Sequence, residues 1–193
     1  MRTIKTLLSL FILSFIVLAC SDEEDDAIDE RLSDDIPISF RLDGELVQIN
    51  ASANNMFLAS YTEDLLFGIG NAFIYGAYNG QITNLDNYNG GEVINLRLVF
   101  QDGLETISYP VDDDVISITY LNSTLDAEYA GTSGTITITE LNTAGIAEGK
   151  GIIAGTFEGV LEKDDGSDDA PDRLTITDGV FRYTNVDDIL LNL

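Results

Sequence analysis

Ile36-Pro-Ile-Ser-Phe-Arg-Leu-Asp-Gly-Glu-Leu-Val-Gln-Ile49 is the stretch that decides the fold. Ile36, Ile38, Phe40 and Leu42 alternate with Pro37, Ser39 and Arg41. That is the period of a strand with one buried face. Asp43-Gly44 then supplies a two-residue hairpin turn. Pairing outward from the turn sets Phe40 opposite Val47 and Ile38 opposite Ile49. Both pairs then fall on one face, as a hairpin over a core requires.

The same pattern recurs downstream. Ile94, Leu96, Leu98 and Phe100 alternate with Asn95, Arg97 and Val99. Asp102-Gly103 is expected to turn this strand back on itself, with Leu98 facing Ile107 and Leu96 facing Tyr109. Val115 to Leu121 resumes as a strand, with Ile116, Ile118 and Tyr120 on one face. Thr135-Ile-Thr-Ile-Thr139 alternates strictly. Ile152 to Glu162 reads as a strand with Phe157 and Leu161 on one side. Asp164 to Asp172 reads as an acidic loop. Leu174 to Thr177 leads through Asp178-Gly179 into Val180-Phe181. Helical periodicity is confined to one turn's worth of residues near Ser123–Tyr129 and Asp187–Leu191. The domain from 36 to 193 is therefore expected to be all-β, a single antiparallel β-sandwich of about 8–11 strands. A calycin-like closed β-barrel is the alternative, and it would offer an interior ligand cavity.

Upstream of the domain the chain reads differently. Residues 1–19 have a basic start, Arg2 and Lys5, and an apolar core from Leu7 to Leu18. Twelve residues make about 18 Å of helix, too short for a hydrocarbon core of roughly 30 Å. This is a signal peptide pattern. Val17-Leu-Ala-Cys20 resembles the bacterial lipobox, which implies acylation of Cys20, the chain's only cysteine, and cleavage before it. Ser21, Asp22, Glu23, Glu24, Asp25 and Asp26 follow. They resemble the acidic export tag of Bacteroidetes-type lipoproteins, which implies the outer membrane with the protein facing the cell exterior. A solvated acidic linker would have the same composition. Residues 20–35 are read as the lipidated cysteine and an acidic tether without periodicity. The membrane is thus an expected partner, through the Cys20 lipid.

Composition excludes more than it assigns. The whole chain has 34 acidic and 9 basic residues and no histidine. Removing Arg2 and Lys5 with the signal leaves 7 bases against 34 acids, or −27. From residue 36 on there are 25 acids and six bases, net −19. Such a surface repels phosphate backbones and argues against nucleic acid. The missing histidine removes Ser-His-Asp and Cys-His catalysis and the usual zinc sites. No lysine follows a glycine-rich loop of P-loop spacing. An enzyme would have to work with carboxylates or a metal.

Two stretches carry candidate binding residues. Gly68 to Gly91 is rich in glycine, asparagine and tyrosine. Tyr75, Tyr78, Asn79, Asn87 and Tyr88 offer the aromatic faces and amide groups that suit sugar rings. The same residues also fit two strands with long Asn-Gly turns, in which the tyrosines merely pack. Asp164, Asp165, Asp168 and Asp169 cluster around a glycine, and Ca²⁺ is the cation such oxygens would hold. They also fit a solvated hairpin tip. No other cofactor is expected. With 25 acids in the domain, a pair spaced for glycoside hydrolysis would arise by chance and has no weight.

Phe40-Arg-Leu-Asp-Gly44, Ser133-Gly-Thr-Ile-Thr-Ile-Thr139, Gly155-Thr-Phe-Glu158 and Leu174-Thr-Ile-Thr-Asp-Gly-Val-Phe181 occur in order. Together they resemble an uncharacterised family of Bacteroidetes surface lipoproteins with a hairpin start and closing strands of this kind. The resemblance spans about residues 36–184. It implies location and an all-β fold, and no chemistry. The expected role is a non-catalytic surface lipoprotein that binds a glycan or another extracellular ligand. The alternatives are a structural or adhesion subunit with a protein partner, and a carboxylate-based hydrolase.

Overall fold

The computed structural model describes residues 36–50, 55–64, 69–82, 88–89, 91–101, 103–112, 115–145 and 150–186. All the regular structure among them is β. In chain order the strands are β1 (Ile38–Leu42), β2 (Glu45–Ile49), β3 (Met56–Asp64) and β4 (Ile69–Tyr78). A short pair follows, β5 (Gln81–Ile82) and β6 (Tyr88–Asn89), and then β7 (Glu92–Gln101) and β8 (Ser108–Pro110). The chain ends with β9 (Ile116–Asn122), β10 (Ala127–Asn142), β11 (Gly151–Gly166) and β12 (Arg173–Val186). Ten of them form one antiparallel sheet in the order β2-β1-β12-β11-β10-β9-β7-β4-β3, with β8 also on β10. This sheet curls until it is nearly closed into a barrel. The all-β antiparallel expectation holds, and the nearly closed sheet is consistent with either expected arrangement, sandwich or barrel.

The first hairpin forms in the register read from its sequence. Phe40 pairs with Val47 and Ile38 with Ile49. Asp43 and Gly44 have φ of 49° and 88°, the left-handed values of the tight turn that suits twisted strands. Ile38, Phe40 and Ile49 are fully buried.

The second expected hairpin does not form. β7 pairs with β9, so Leu98 lies opposite Ile116 and Leu96 opposite Ile118. Residues 108–110 cross to β10 instead, where Tyr109 pairs with Ile136. Burial explains the choice. Ile116, Ile118 and Tyr120 give the edge of β7 three inward side chains, each at most 5% exposed. Ile107 is 49% exposed where it sits, so it would add little to a core.

Three further expectations are corrected. Asp178-Gly179 is no chain reversal but a bulge inside the continuous strand β12, where register shifts against both β1 and β11. Asp178 takes the left-handed conformation there, φ 52°. The stretch near Ser123–Tyr129 is a reverse turn followed by the start of β10, not a helical turn. β11 runs on to Gly166, so the acidic loop starts later than its composition suggests. Residues 187–191 lie outside the described residues.

Long strands with bulges produce the closure. β10 and β11 each have 16 residues. Their ladder slips between Glu128 and Tyr129, Gly131 and Ser133, and Ile138 and Glu140. Each slip adds local bend and twist, which wraps the sheet around its own inner face. At the seam, inward-facing Gly76 on β4 lets β1 and β2 come close. A Cβ at Gly76 would stand 2.6 Å from Ile49 Cδ1 and 3.2 Å from Ile38 Cγ2. Phe57 on β3 and Tyr183 on β12 meet across the same seam, ring centres 5.9 Å apart.

One hydrophobic cluster fills the interior. Phe157 lies 5.8 Å from Phe40 and 6.3 Å from Phe181, and Tyr120 lies 6.0 Å from Tyr129. Among the described residues, these side chains occupy the space a calycin-like barrel would leave for a ligand.

Candidate functional site

Strand alternation sorts the candidate tyrosines. On β4, Ala72, Ile74 and Gly76 face inward, and Ala72 and Ile74 are fully buried. Phe73 and Tyr75 therefore project outward from the barrel, both half-buried. Tyr78 points the other way. It is 6% exposed, packs edge-on against Phe40 at 6.4 Å, and shares a hydrogen bond with Tyr120 at 3.2 Å between hydroxyls. Burial pushes its hydroxyl pKa up strongly. Tyr78 has no free ring face for a sugar, so it leaves the candidate set that contains Tyr75.

Asn79 is exposed and takes the left-handed turn conformation, φ 59°, just past β4. Its amide donates to Glu92 Oε2 at 3.4 Å, while the amide of Asn122 donates to Glu92 Oε1 at 3.3 Å. Tyr78, Glu92 and Asn122 lie in one row across β4, β7 and β9. The row forms a polar cap at one end of the barrel. Tyr88 pairs with Ile82 in the small second sheet. Asn87 lies outside the described residues, as do Cys20, Ser21 and the acids Asp22 to Asp26.

The outward face around Tyr75 is built by register. Leu58, Tyr75, Asn95 and Thr119 form one row across β3, β4, β7 and β9. Ser60, Phe73, Arg97 and Ser117 form the next. The Arg97 guanidinium stands 5.9 Å from the Phe73 ring centre, a cation–π contact that orients both groups. Desolvation raises the Tyr75 hydroxyl pKa, so the phenol stays neutral at physiological pH. The result is two aromatic side chains, an amide, a guanidinium and the hydroxyls of Ser117 and Thr119 on one surface, while Ser60 is buried.

Short of Asp64, at the outward position opposite Ile69, this face is also free of acids. From Met56 to Thr62 on β3, Ile69 to Ala77 on β4, Val93 to Gln101 on β7 and Ser117 to Leu121 on β9, no outward position holds Asp or Glu. Ile69 and Leu121 on its rim are 43% and 37% exposed. The opposite side of the barrel is different, with exposed Glu128, Glu158 and Glu162 on β10 and β11. A groove of about 270 Å³ there is lined by Ser133, Thr175 and Thr177 and by one carboxylate, Glu158.

The aspartate-rich turn is organised by a lysine. Asp164 and Asp165 end β11, and Asp168 and Asp169 follow in the turn, all four exposed. The Lys163 ammonium donates to the carbonyls of Ser167 and Ala170, both at 3.1 Å, and lies 3.2 Å from Asp172. The turn's inner carbonyls thus already surround a cation from the chain itself. Among the described residues, no group of three or more acidic, cysteine or histidine side chains is placed to hold a metal ion.

Phe73, Asn95 and Arg97 had not been singled out from the sequence. Their signal was the inward run Ile74, Leu96 and Leu98, whose alternation turns the intervening residues outward. Pairing those residues across strands required the fold. Comparison with family models, curated proteins and solved structures found no match.

Proposed function

We propose that the chain is a non-catalytic lipoprotein of the outer membrane, facing the cell exterior, whose β domain binds a glycan on the outer face of β4. The observation that carries the binding reading is Phe73 and Tyr75 side by side on that face, with Asn95 and Arg97 beside them in register. Aromatic faces stack on the apolar faces of sugar rings, while amide and guanidinium groups hydrogen-bond their hydroxyls. The location rests on the lipobox at Cys20 and on the serine and acids from Ser21 to Asp26. The acylated cysteine would anchor the chain, and residues 21–35 would hold the domain off the membrane.

A glycan array probed with the full chain, and repeated with Tyr75→Ala and Phe73→Ala, tests the binding. Signal in the parent and loss in both variants is the expected result. No signal on any glycan would end this reading. The location is tested by replacing Asp22 to Asp26 with alanine. That variant should stay lipidated and become resistant to protease added to intact cells.

The exposed rim residues Ile69 and Leu121 favour a second reading, a protein partner on the same face. A stoichiometric protein recovered from intact cells, and lost with Leu121→Asp, would support it over the glycan.

A further inference from the structure

The glycan reading leaves its chemical class open, and the surface narrows it. From residue 36 on the chain has 25 acids against six bases, yet on β4, β7 and β9, and on β3 as far as Thr62, no outward position holds an acid; Asp64, opposite Ile69, is the outward acid at the strand end. The one base at these outward positions among the described residues is Arg97, already placed over Phe73. A polyanionic ligand on this face would meet one guanidinium and, within about 10 Å of its edges, the field of a strongly negative domain. A cationic ligand would find no carboxylate beside Phe73 and Tyr75 to pair with. Only an uncharged ligand avoids both costs.

Spacing adds a length. Tyr75 with Asn95 makes one pair of groups, and Phe73 with Arg97 makes the next, two residues along the strand. Two residues of strand span about 7 Å. A single sugar ring therefore reaches one pair, and contact with both requires linked rings. Tyr75 offers an aromatic surface, Asn95 a donor and an acceptor, and Arg97 donors only. This set matches hydroxyls and ring oxygens, has no group for an ammonium, and offers a carboxylate one guanidinium, which already stands against Phe73.

We infer that the outer face of β4 and β7 takes an uncharged glycan of at least two linked sugars, seated across Tyr75–Asn95 and Phe73–Arg97. This inference rests on the glycan reading and specifies its ligand class.

The test is calorimetric titration of the full chain with neutral oligosaccharides, from monosaccharide to hexasaccharide, and with a polyuronate of similar length, at low and high salt. Neutral oligosaccharides should bind at least ~10-fold more tightly than the monosaccharide, because linked rings use both pairs. Added salt should leave their affinity unchanged. Asn95→Asp puts a carboxylate on the face without removing bulk, and it should weaken binding by ~10-fold or more. Tyr75→Ala should do the same, and Asn95→Asp serves alone where Tyr75→Ala lowers the melting temperature. Binding confined to the polyuronate and weakened by salt overturns the uncharged class and leaves the glycan reading standing. Equal affinity for monosaccharide and hexasaccharide overturns the two-ring site. Failure of every glycan to bind overturns both this inference and the reading beneath it.

Discussion

The carboxylate of Asp43 accepts the backbone N–H of Thr175 at 2.7 Å, across 132 residues of chain. The N–H of Asp43 in turn donates to the carbonyl of Thr175 at 2.8 Å. The turn of the first hairpin is thereby an added rung on β12. One aspartate both shapes the turn, at φ 49°, and fastens it to the last strand.

These two duties separate by mutation. Asp43→Asn keeps an acceptor oxygen and tolerates the left-handed conformation, so stability should change little. Asp43→Ala loses both, at a cost of about 1–2 kcal/mol. Urea midpoints of the two variants measure the difference. Equal midpoints would show that the rung contributes nothing.

Gly155 opens the Gly155-Thr-Phe-Glu158 stretch because nothing larger fits. An added Cβ would collide with the carbonyl oxygen of Thr137 and stand 2.8 Å from the Phe181 ring. Backbone on one side and a fully buried ring on the other leave little room to yield. Gly155→Ala should destabilise the domain by about 1–3 kcal/mol. A denaturant midpoint equal to that of the parent would show that β10 and β11 separate more easily than their pairing implies.

Asp112 governs part of the acid limb. Its carboxylate accepts the N–H groups of Ile116 at 2.8 Å and Val115 at 2.9 Å. Those bonds hold its pKa below the usual carboxylate value. A folded-state pKa that is lowered stabilises the fold at every pH above the unfolded value near ~4. That contribution is lost as the pH falls through the lowered folded value. Asp112→Asn should therefore flatten the loss of stability on acidification. Parallel acid limbs for parent and variant would rule Asp112 out as a contributor.

The buried tyrosines set the alkaline limb. Burial raises the pKa of Tyr78 and Tyr183 well above the usual value and pushes Tyr120 up to about 12. A raised folded-state pKa stabilises fully below the unfolded value of about 10 and is lost as the pH rises through the folded one. Phenolate absorbance of the native chain should therefore appear in two stages. The less buried tyrosines ionise first, and the buried set ionises only with unfolding. A single transition near the ordinary tyrosine value, with the fold intact, would contradict the buried positions.

Local chemistry was readable in advance, and long-range competition was not. Phe40 opposite Val47 follows from Asp43-Gly44 and from alternation within a few residues on either side. All the forces that set that register act within one hairpin. β7 was different. Its apolar face suited the segment after Gly103 and the segment from Ile116 alike, since both alternate. The strand that placed Ile116, Ile118 and Tyr120 in the interior took the edge, and that outcome depends on the whole core. Asp178-Gly179 likewise has turn chemistry, yet β1 and β11 pair on either side of it and hold it in a bulge.

The candidate surface divides in the same way. Composition alone told of a strongly acidic chain without histidine, and the order of residues told of strands, turns and a stretch at Cys20 that resembles a lipobox. The sequence grouped Tyr75 with Tyr78; they lie three positions apart on β4 and so face opposite ways. Neighbouring Phe73 and Tyr75 with Asn95 and Arg97, and keeping acids from the positions beside them, took the pairing of four strands. A strand's own residues dictate which of its side chains share a face. Only the closed set of hydrogen-bonded neighbours dictates which side chains of other strands they meet.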